Sequence, residues 1–238
     1  MDLLSFDIEI SDIFDLAPGE DLDSHGPFSI SVASTVIHGG EEKLWFCEDP
    51  AGRPTLALTA ARARELLEYL DARQRDGAMV CAWNGLGFDL RWIGHAAGDM
   101  QLAARVALAS YDPMFQFFTR RGFPVGLAKA AAAMGVTQTK LMDGSDAPRL
   151  WHEGRFQEVM AYVLGDSQMT NQVVAEILRR KSLSWVTARG TVASEPMPRL
   201  MTVAEVIREP EPDQSWMDKP LPRSKFFSWI PHELLARR

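Results

Sequence analysis

The sequence predicts an α/β layered domain whose first three strands are antiparallel neighbours. Three patterns carry that reading. "LLSFDIEI" (3–10) is a nearly unbroken apolar run of strand length, as a buried strand requires. "FSISVASTVIHGGEEKLWFC" (28–47) alternates apolar with small polar residues on either side of Gly39-Gly40, a hairpin signature. "TAARARELLEYLDARQRDG" (59–77) switches to helical spacing, with Thr59 placed to cap its start and Gly77 to end it.

The remaining segments continue the alternation. Residues 11–27 hold four Asp, one Glu, two Gly and two Pro, and read as a loop. "AMVCAW" (78–83) is a further short buried strand, "FDLRWIGHAAG" (88–98) opens a helix, and 99–109 keeps helical composition. "VGLAKAAAAMGV" (125–136) is a short helix ending at Gly135. "HEGRFQEVMAYVLGDSQMTNQVVAEILRRK" (152–181) is the longest helical pattern, with a bend expected near Gly165. From about residue 186 prolines recur and apolar runs shorten, which predicts an extended segment draped on the body. One short helix is expected near 202–208, where Thr202 and Glu205 are spaced as a capping box.

At 238 residues the chain can bury a sizeable core, and 46% apolar with 24% charged residues is a globular composition. No apolar run reaches the ~20 residues of a membrane span. The N-terminus lacks the basic and apolar regions of a secretory signal. Cys47 and Cys81 sit in apolar runs without metal-site spacing, so they read as buried free thiols and the chain as cytoplasmic. A net charge of −7 argues against coating nucleic acid by bulk electrostatics. The charge is uneven: from Arg179 onward eleven Lys/Arg stand against seven Asp/Glu, so an acidic body carries a basic tail.

Asp7 and Glu9 are two apart in the first strand and therefore share a face. Two carboxylates side by side in an apolar strand repel each other and are costly to desolvate. A divalent cation removes that cost, and an all-oxygen site favours Mg²⁺ or Mn²⁺ over zinc; the alternative is a solvated, exposed face. "WNGLGFD" (83–89) sets Asn84 and Asp89 just after a buried strand, with two glycines that let the backbone approach a ligand. As the first residue of a helix, Asp89 also fits an ordinary dipole or capping role. "YVLGD" (162–166) stacks Tyr162 and Asp166 one helical turn apart, which equally suits a packed Tyr beside a surface Asp.

Taken together these segments resemble the DEDD 3′–5′ exonuclease family of the ribonuclease H-like fold, in its tyrosine-bearing branch. "FDIE" (6–9) matches the first motif, "NGLGFD" (84–89) the second and "YVLGD" the third, in order. The likeness covers about residues 1–180 and is strongest to the exonuclease domains of family-B-type polymerases and stand-alone relatives. It implies an α/β three-layer domain over 1–185, with a mixed central sheet of three antiparallel strands plus parallel strands flanked by helices. A Pro-rich basic extension, 186–238, would pack on that domain.

The resemblance further implies two divalent cations, Mg²⁺ or Mn²⁺, held by Asp7, Glu9, Asp89 and Asp166, with Asp7 serving both. Tyr162 would orient the attacking water, since a phenol with a pKa near ~10 is a poor base at neutral pH. Asn84 and Phe88 would lie beside the terminal nucleotides, although Phe88 fits plain core equally well. The implied partner is the 3′ end of single-stranded nucleic acid, DNA favoured over RNA, with no membrane and with the protein a monomer or homodimer. The alternatives are a non-catalytic nucleic-acid-binding module on this fold, or a metal-dependent hydrolase of small nucleotide phosphoesters. Trp83 is expected in the core and Asp112 in a turn or cap. Arg189, Arg199, Arg223 and Lys225 are expected to offer cations to substrate phosphates, while Phe226, Phe227 and Trp229 anchor the tail.

Overall fold

The computed structural model describes residues 2–17, 19–137 and 143–236. Its main sheet contains β1 (Leu3–Ile10), β2 (Ile30–Ile37), β3 (Glu42–Trp45) and β4 (Met79–Cys81), in the order β3-β2-β1-β4. The first three strands are antiparallel neighbours, and β4 adds to β1 in parallel. The expected mixed sheet is therefore present, with one parallel strand among the described residues where several were expected. At the β4 edge of this sheet the described residues add only single bridges, Tyr111 pairing with Cys81 and with Thr202.

The helices follow local signals. In α1 (Ala60–Arg75) the Thr59 side chain accepts from the Arg62 amide, and Gly77 takes a φ of 88° just past the end. The helical stretch expected from 88 to 109 is two helices, α2 (Asp89–Ala97) and α3 (Met100–Ala109). Gly98, left-handed, ends one, and the Asp99 side chain caps the other. An unexpected helix, α4 (Pro113–Arg121), follows, starting with Pro113 behind the Asp112 cap. Seven of its nine residues are buried, the polar Gln116 and Thr119 among them. Next come α5 (Leu127–Met134), α6 (Ala147–His152) and α7 (Phe156–Arg180), which runs without interruption through Gly165.

Alternation along β1 sorts its side chains between two layers. Leu4, Phe6, Ile8 and Ile10 join residues of α1, α2 and α3 in the largest core cluster. Ser5, Asp7 and Glu9 take the other face, where the Ser5 hydroxyl donates to the Ser167 carbonyl of α7 at 2.5 Å. A second cluster joins α4, α5 and α7 through Phe117, Val125, Val173 and Ile177, and a smaller one seats Trp151 of α6 against Val32 and Val163. Cys81 is buried, with its thiol pushed up mainly by burial, whereas Cys47 is partly exposed, contrary to expectation; both are free.

The tail differs from the draped segment expected. It begins with a hairpin, β5 (Ser182–Val186) and β6 (Val192–Pro196), which spans the boundary expected at 185/186. The short α8 (Val203–Val206) does carry the Thr202–Glu205 capping box, and α9 (His232–Ala236) closes the described chain. Met201, Val203, Val206, Phe226 and Ile230 belong to the largest core cluster. Three of the four cations expected to face substrate are engaged internally. Arg223, 6% exposed, donates to the carbonyls of Ile207, Glu209 and Pro210 and pairs with Glu211. Arg199 pairs with Glu205 and Lys225 with Asp21. Arg189 is exposed between β5 and β6.

Because Phe226 is buried against Phe115 and Phe118, Phe226→Ala is expected to cost about 3–5 kcal/mol of stability, the range for losing a core aromatic. Denaturant unfolding reads this directly. A midpoint equal to that of the wild type would show that the tail is not part of the folding unit.

Candidate active site

Three chain segments meet around the C-terminal half of β1. The strand itself brings Asp7, partly exposed, and Glu9, 8% exposed, on the face turned to α7. On α7, Tyr162 and Asp166 occupy successive turns, and the Tyr162 hydroxyl donates to the Asp166 carboxylate. The approach is close because small hydroxyl residues line the crossing. Ser34 of β2 donates to the Val163 carbonyl at 2.8 Å and shares a hydrogen bond with the Ser167 hydroxyl at 2.7 Å.

The third segment is the loop from β4 into α2. Asn84 adopts a left-handed φ of 68°, which Asn tolerates better than most residues. The buried Asp112 carboxylate holds this turn, accepting from the amides of Asn84 at 3.2 Å and Leu86 at 3.1 Å while capping α4 through Phe115 at 3.0 Å. Burial pushes Asp112 up to about 6 in spite of those amides. Gly87 is required by space: a Cβ there would come 2.6 Å from Asn84 Oδ1 and 3.0 Å from Phe226 Cδ1. The loop delivers Asp89, 4% exposed, as the first residue of α2. β4 ends opposite Ser5, and the amide of Ile8, farther along β1, donates to Asp89 Oδ1 at 3.2 Å. Phe88 is partly exposed and packs toward Phe28 and Trp92.

The electrostatics record how closely these acids meet. Asp7 lies well above the ordinary carboxylate range, first through burial and then through Asp89, Glu9 and Asp166. Glu9 is raised by burial, Asp166 and Asp89. Asp89 is pushed up to about 7, chiefly by burial. Asp7 and Asp89 are close enough to act on one another, and the Asp89 charge follows burial as the next cause of the rise at Asp7. The Tyr162 phenol is raised by burial and by the charges of Asp166 and Glu9, so it keeps its proton at any physiological pH.

The donor set suits a hard divalent cation: four carboxylates, three of them raised by burial and by one another, with no cationic side chain among the main influences on Asp7, Glu9 or Asp89. Among the described residues no three His, Cys, Asp or Glu are yet grouped as a finished ligand set. The acids fit the ion in chemistry and charge. Beside Glu9 lies a groove of about 310 Å³ walled by Ile8, Ile10, Phe14, Phe88 and Pro148. Its edge at Gly144 reaches Tyr162, whose hydroxyl would lie 3.4 Å from a Cβ at that glycine.

A family model described as the RNase_H superfamily matches residues 52–175, just over half of the chain. The match includes Asn84, Phe88, Asp89, Tyr162 and Asp166 and begins after Asp7 and Glu9. No curated protein matches the chain. Among solved structures, a family B DNA polymerase from the hyperthermophilic archaeon Pyrobaculum calidifontis aligns with a TM-score of 0.50 and 17% identity. The alignment covers 74% of this chain and 24% of the polymerase, so the chain corresponds to about a quarter of that protein and the likeness is one of fold.

The raised Asp89 has a consequence for stability when divalent ions are chelated. Its ordinary value is 3.8 and its folded value about 7, so the unfolded chain ionises it first. The neutral carboxyl contributes fully below about pH 4, and that contribution is lost as pH rises through about 7. Between about pH 4 and about pH 8 in EDTA, the melting temperature of the wild type should fall by several degrees relative to Asp89→Asn. Parallel curves for the two proteins would show that Asp89 ionises in its normal range.

Proposed function

The chain belongs to the RNase H superfamily, and from that premise we propose that it is a divalent-metal-dependent 3′–5′ exonuclease of the tyrosine-bearing DEDD type. Its substrate on this reading is the 3′ end of single-stranded nucleic acid, with DNA favoured. The observation that carries the reading is the meeting of Asp7, Glu9, Asp89 and Asp166 with Tyr162, from three separate segments, beside an apolar groove. The 3′–5′ direction is what the resemblance carried by "FDIE", "NGLGFD" and "YVLGD" implies, and DNA is favoured because the likeness is to the exonuclease domains of family-B-type polymerases.

Asp7, Glu9 and Asp166 would hold one cation and Asp7 also a second, with Asp89 acting largely through waters on the cations. Two bound cations would supply positive charge for the attacking and the leaving oxygens of an in-line displacement. The chain's own residues supply placement. Pairing of β1 with β2 fixes the backbone of Asp7 and Glu9, and the Ile8 amide holds Asp89 against that strand. Tyr162 remains a protonated phenol, so it orients a water by hydrogen bonding and does not take its proton. Among the described residues the groove has no cation beside Glu9, and its apolar walls suit an uncharged base and sugar.

Asp7→Ala and Asp166→Ala should reduce hydrolysis of a labelled single-stranded oligonucleotide to background while the melting curve stays cooperative. Full activity in either variant would remove the carboxylates from the reaction. EDTA should silence the wild type, and Ca²⁺ should support binding with little turnover because its coordination is looser. Tyr162→Phe should lower kcat by about 10²–10⁴-fold, the usual contribution of a positioned proton-handling group. If kcat is unchanged, the hydroxyl has no part in catalysis.

A further inference from the structure

Residues 19–27, between β1 and β2, form an arm that carries a short 3-10 turn, Leu22–His25. Leu22 walls both the groove at Glu9 and a second cavity, of about 470 Å³, whose lining includes Asp21, Asp23 and Lys225. Two ion pairs tie the arm outward. Lys225 of the tail donates to Asp21 at 2.5 Å, and Arg91 of α2 donates to Asp23 at 3.3 Å. The four charges act as one group. The hydrogen bond from Lys225 holds Asp21 below its ordinary range, and the Arg91 charge adds to that effect. Asp23 is raised chiefly by burial, against the pull of Arg91 and Lys225.

Both cations border the acid site. Arg91 follows Asp89 by two residues on α2, with its guanidinium 4.2 Å over the Trp92 ring, and Lys225 adjoins Phe226, which lies on Gly87. Both are committed to carboxylates of the same arm, and neither commitment is deep. The Lys225 and Asp21 side chains are 43% and 53% exposed, and Arg91 and Asp23 are half-buried. Ion pairs this open are weak, and a competing anion can replace one partner. Lys and Arg accept carboxylate and phosphate oxygens alike. Two singly charged carboxylates set two residues apart thus offer Arg91 and Lys225 what two phosphodiesters of a strand would offer.

We propose, resting on the proposed function for the nature of the ligand, that this arm is an autoinhibitory latch in which Asp21 and Asp23 occupy Lys225 and Arg91 in place of strand phosphates. A strand binds by exchanging its phosphates for the two carboxylates, and the arm is released. Release withdraws Leu22 from the wall between the two spaces and uncovers two cations beside a site that otherwise presents acids. The latch admits a polyanion, which can replace both carboxylates, in preference to a single phosphate.

Two double-mutant cycles test this, Asp21→Asn with Lys225→Gln and Asp23→Asn with Arg91→Gln. Asparagine keeps an oxygen for the Asp23 amide that Asp21 caps. Each variant is checked for cooperative melting, and the Asp21–Lys225 cycle, on surface side chains, decides alone if an Arg91 variant does not fold. The probe is a labelled oligothymidylate titrated at low salt with Ca²⁺ in place of Mg²⁺. Asp21→Asn should bind it about two- to fivefold more tightly, the range for freeing one exposed ion pair. Lys225→Gln should bind more weakly than the wild type, and in its background Asp21→Asn should gain almost nothing. An equal gain with and without Lys225 would show that Asp21 only repels the strand, and would overturn the latch. Unchanged affinity in a folded Asp21→Asn protein, or binding of the strand by none of the proteins, would overturn it as well. Hydrolysis of the same strand in Mg²⁺ is read separately. A coupled binding cycle without hydrolysis by the wild type would support the latch and refute the exonuclease reading, and hydrolysis with an additive cycle would do the reverse.

Discussion

Helix α7 crosses β1 and β2 at a spacing set by three serines with no exposed surface, Ser5, Ser34 and Ser167. Their hydroxyls leave little room between helix and sheet, and their hydrogen bonds to the Ser167 and Val163 carbonyls and to one another satisfy what burial would otherwise leave unpaired. Farther along, the Asn171 amide donates to the Val36 carbonyl at 2.9 Å and secures the same crossing. Asp166 precedes Ser167, and Tyr162 precedes Val163, so both lie within one residue of a pinned position. A bulkier apolar residue at any of the serines would displace the helix and carry both functional side chains away from Asp7 and Glu9. Helix-to-sheet spacing is thus also the spacing of the acids.

The opposite wall is set by contacts of much longer sequence range. The loop 84–88 has almost no secondary structure of its own, and its backbone is held from two directions. Asp112 takes the amides of Asn84 and Leu86, and the Trp229 indole donates to the Leu86 carbonyl at 2.8 Å. Phe226 then lies on Gly87, the one position where a side chain would collide with both Asn84 and the tail. Arg223, buried with its guanidinium on three carbonyls, fixes the turn that presents Phe226 and Trp229. The basic residues of this region therefore act as scaffolding for an acidic site, which their simple count had suggested they would serve by charge.

The fold and the acids were legible in the sequence because their signals are local. Strand alternation put Asp7 and Glu9 on one face, the Thr59 and Thr202 caps were readable from adjacent residues, and Asp89 follows directly from its place after a buried strand. What escaped was non-local or lacked contrast. α4 is only nine residues long and buries the polar Gln116 and Thr119 through distant contacts, and the β5–β6 hairpin, spanning the expected boundary, has a polar second strand, "VASEP". The roles of Arg223, Lys225 and Trp229 depend on partners such as Pro210, Asp21 and Leu86, 13, 204 and 143 residues away, and no pattern near them announces those partners. The spacing serines sit in "FSISVAS" and "YVLGDS" as ordinary small polar residues, and only the crossing gives them meaning.

Charge balance links the acid cluster to the two cavities. The groove at Glu9 is walled by apolar residues and two acids, and in the second cavity Lys225 is already neutralised by Asp21. On the proposed function a phosphodiester would meet carboxylates and no uncommitted cation among the described residues of those walls. Without a divalent ion the cluster lowers its own charge by keeping protons, as the raised values of Asp7, Glu9 and Asp89 record. Protons and divalent cations compete for the same oxygens, and only the cations also leave positive charge for the phosphate. On the proposed function, burial of the acids would have two effects in one place: it discourages a naked carboxylate cluster, and it would make binding of an anionic substrate conditional on a divalent ion.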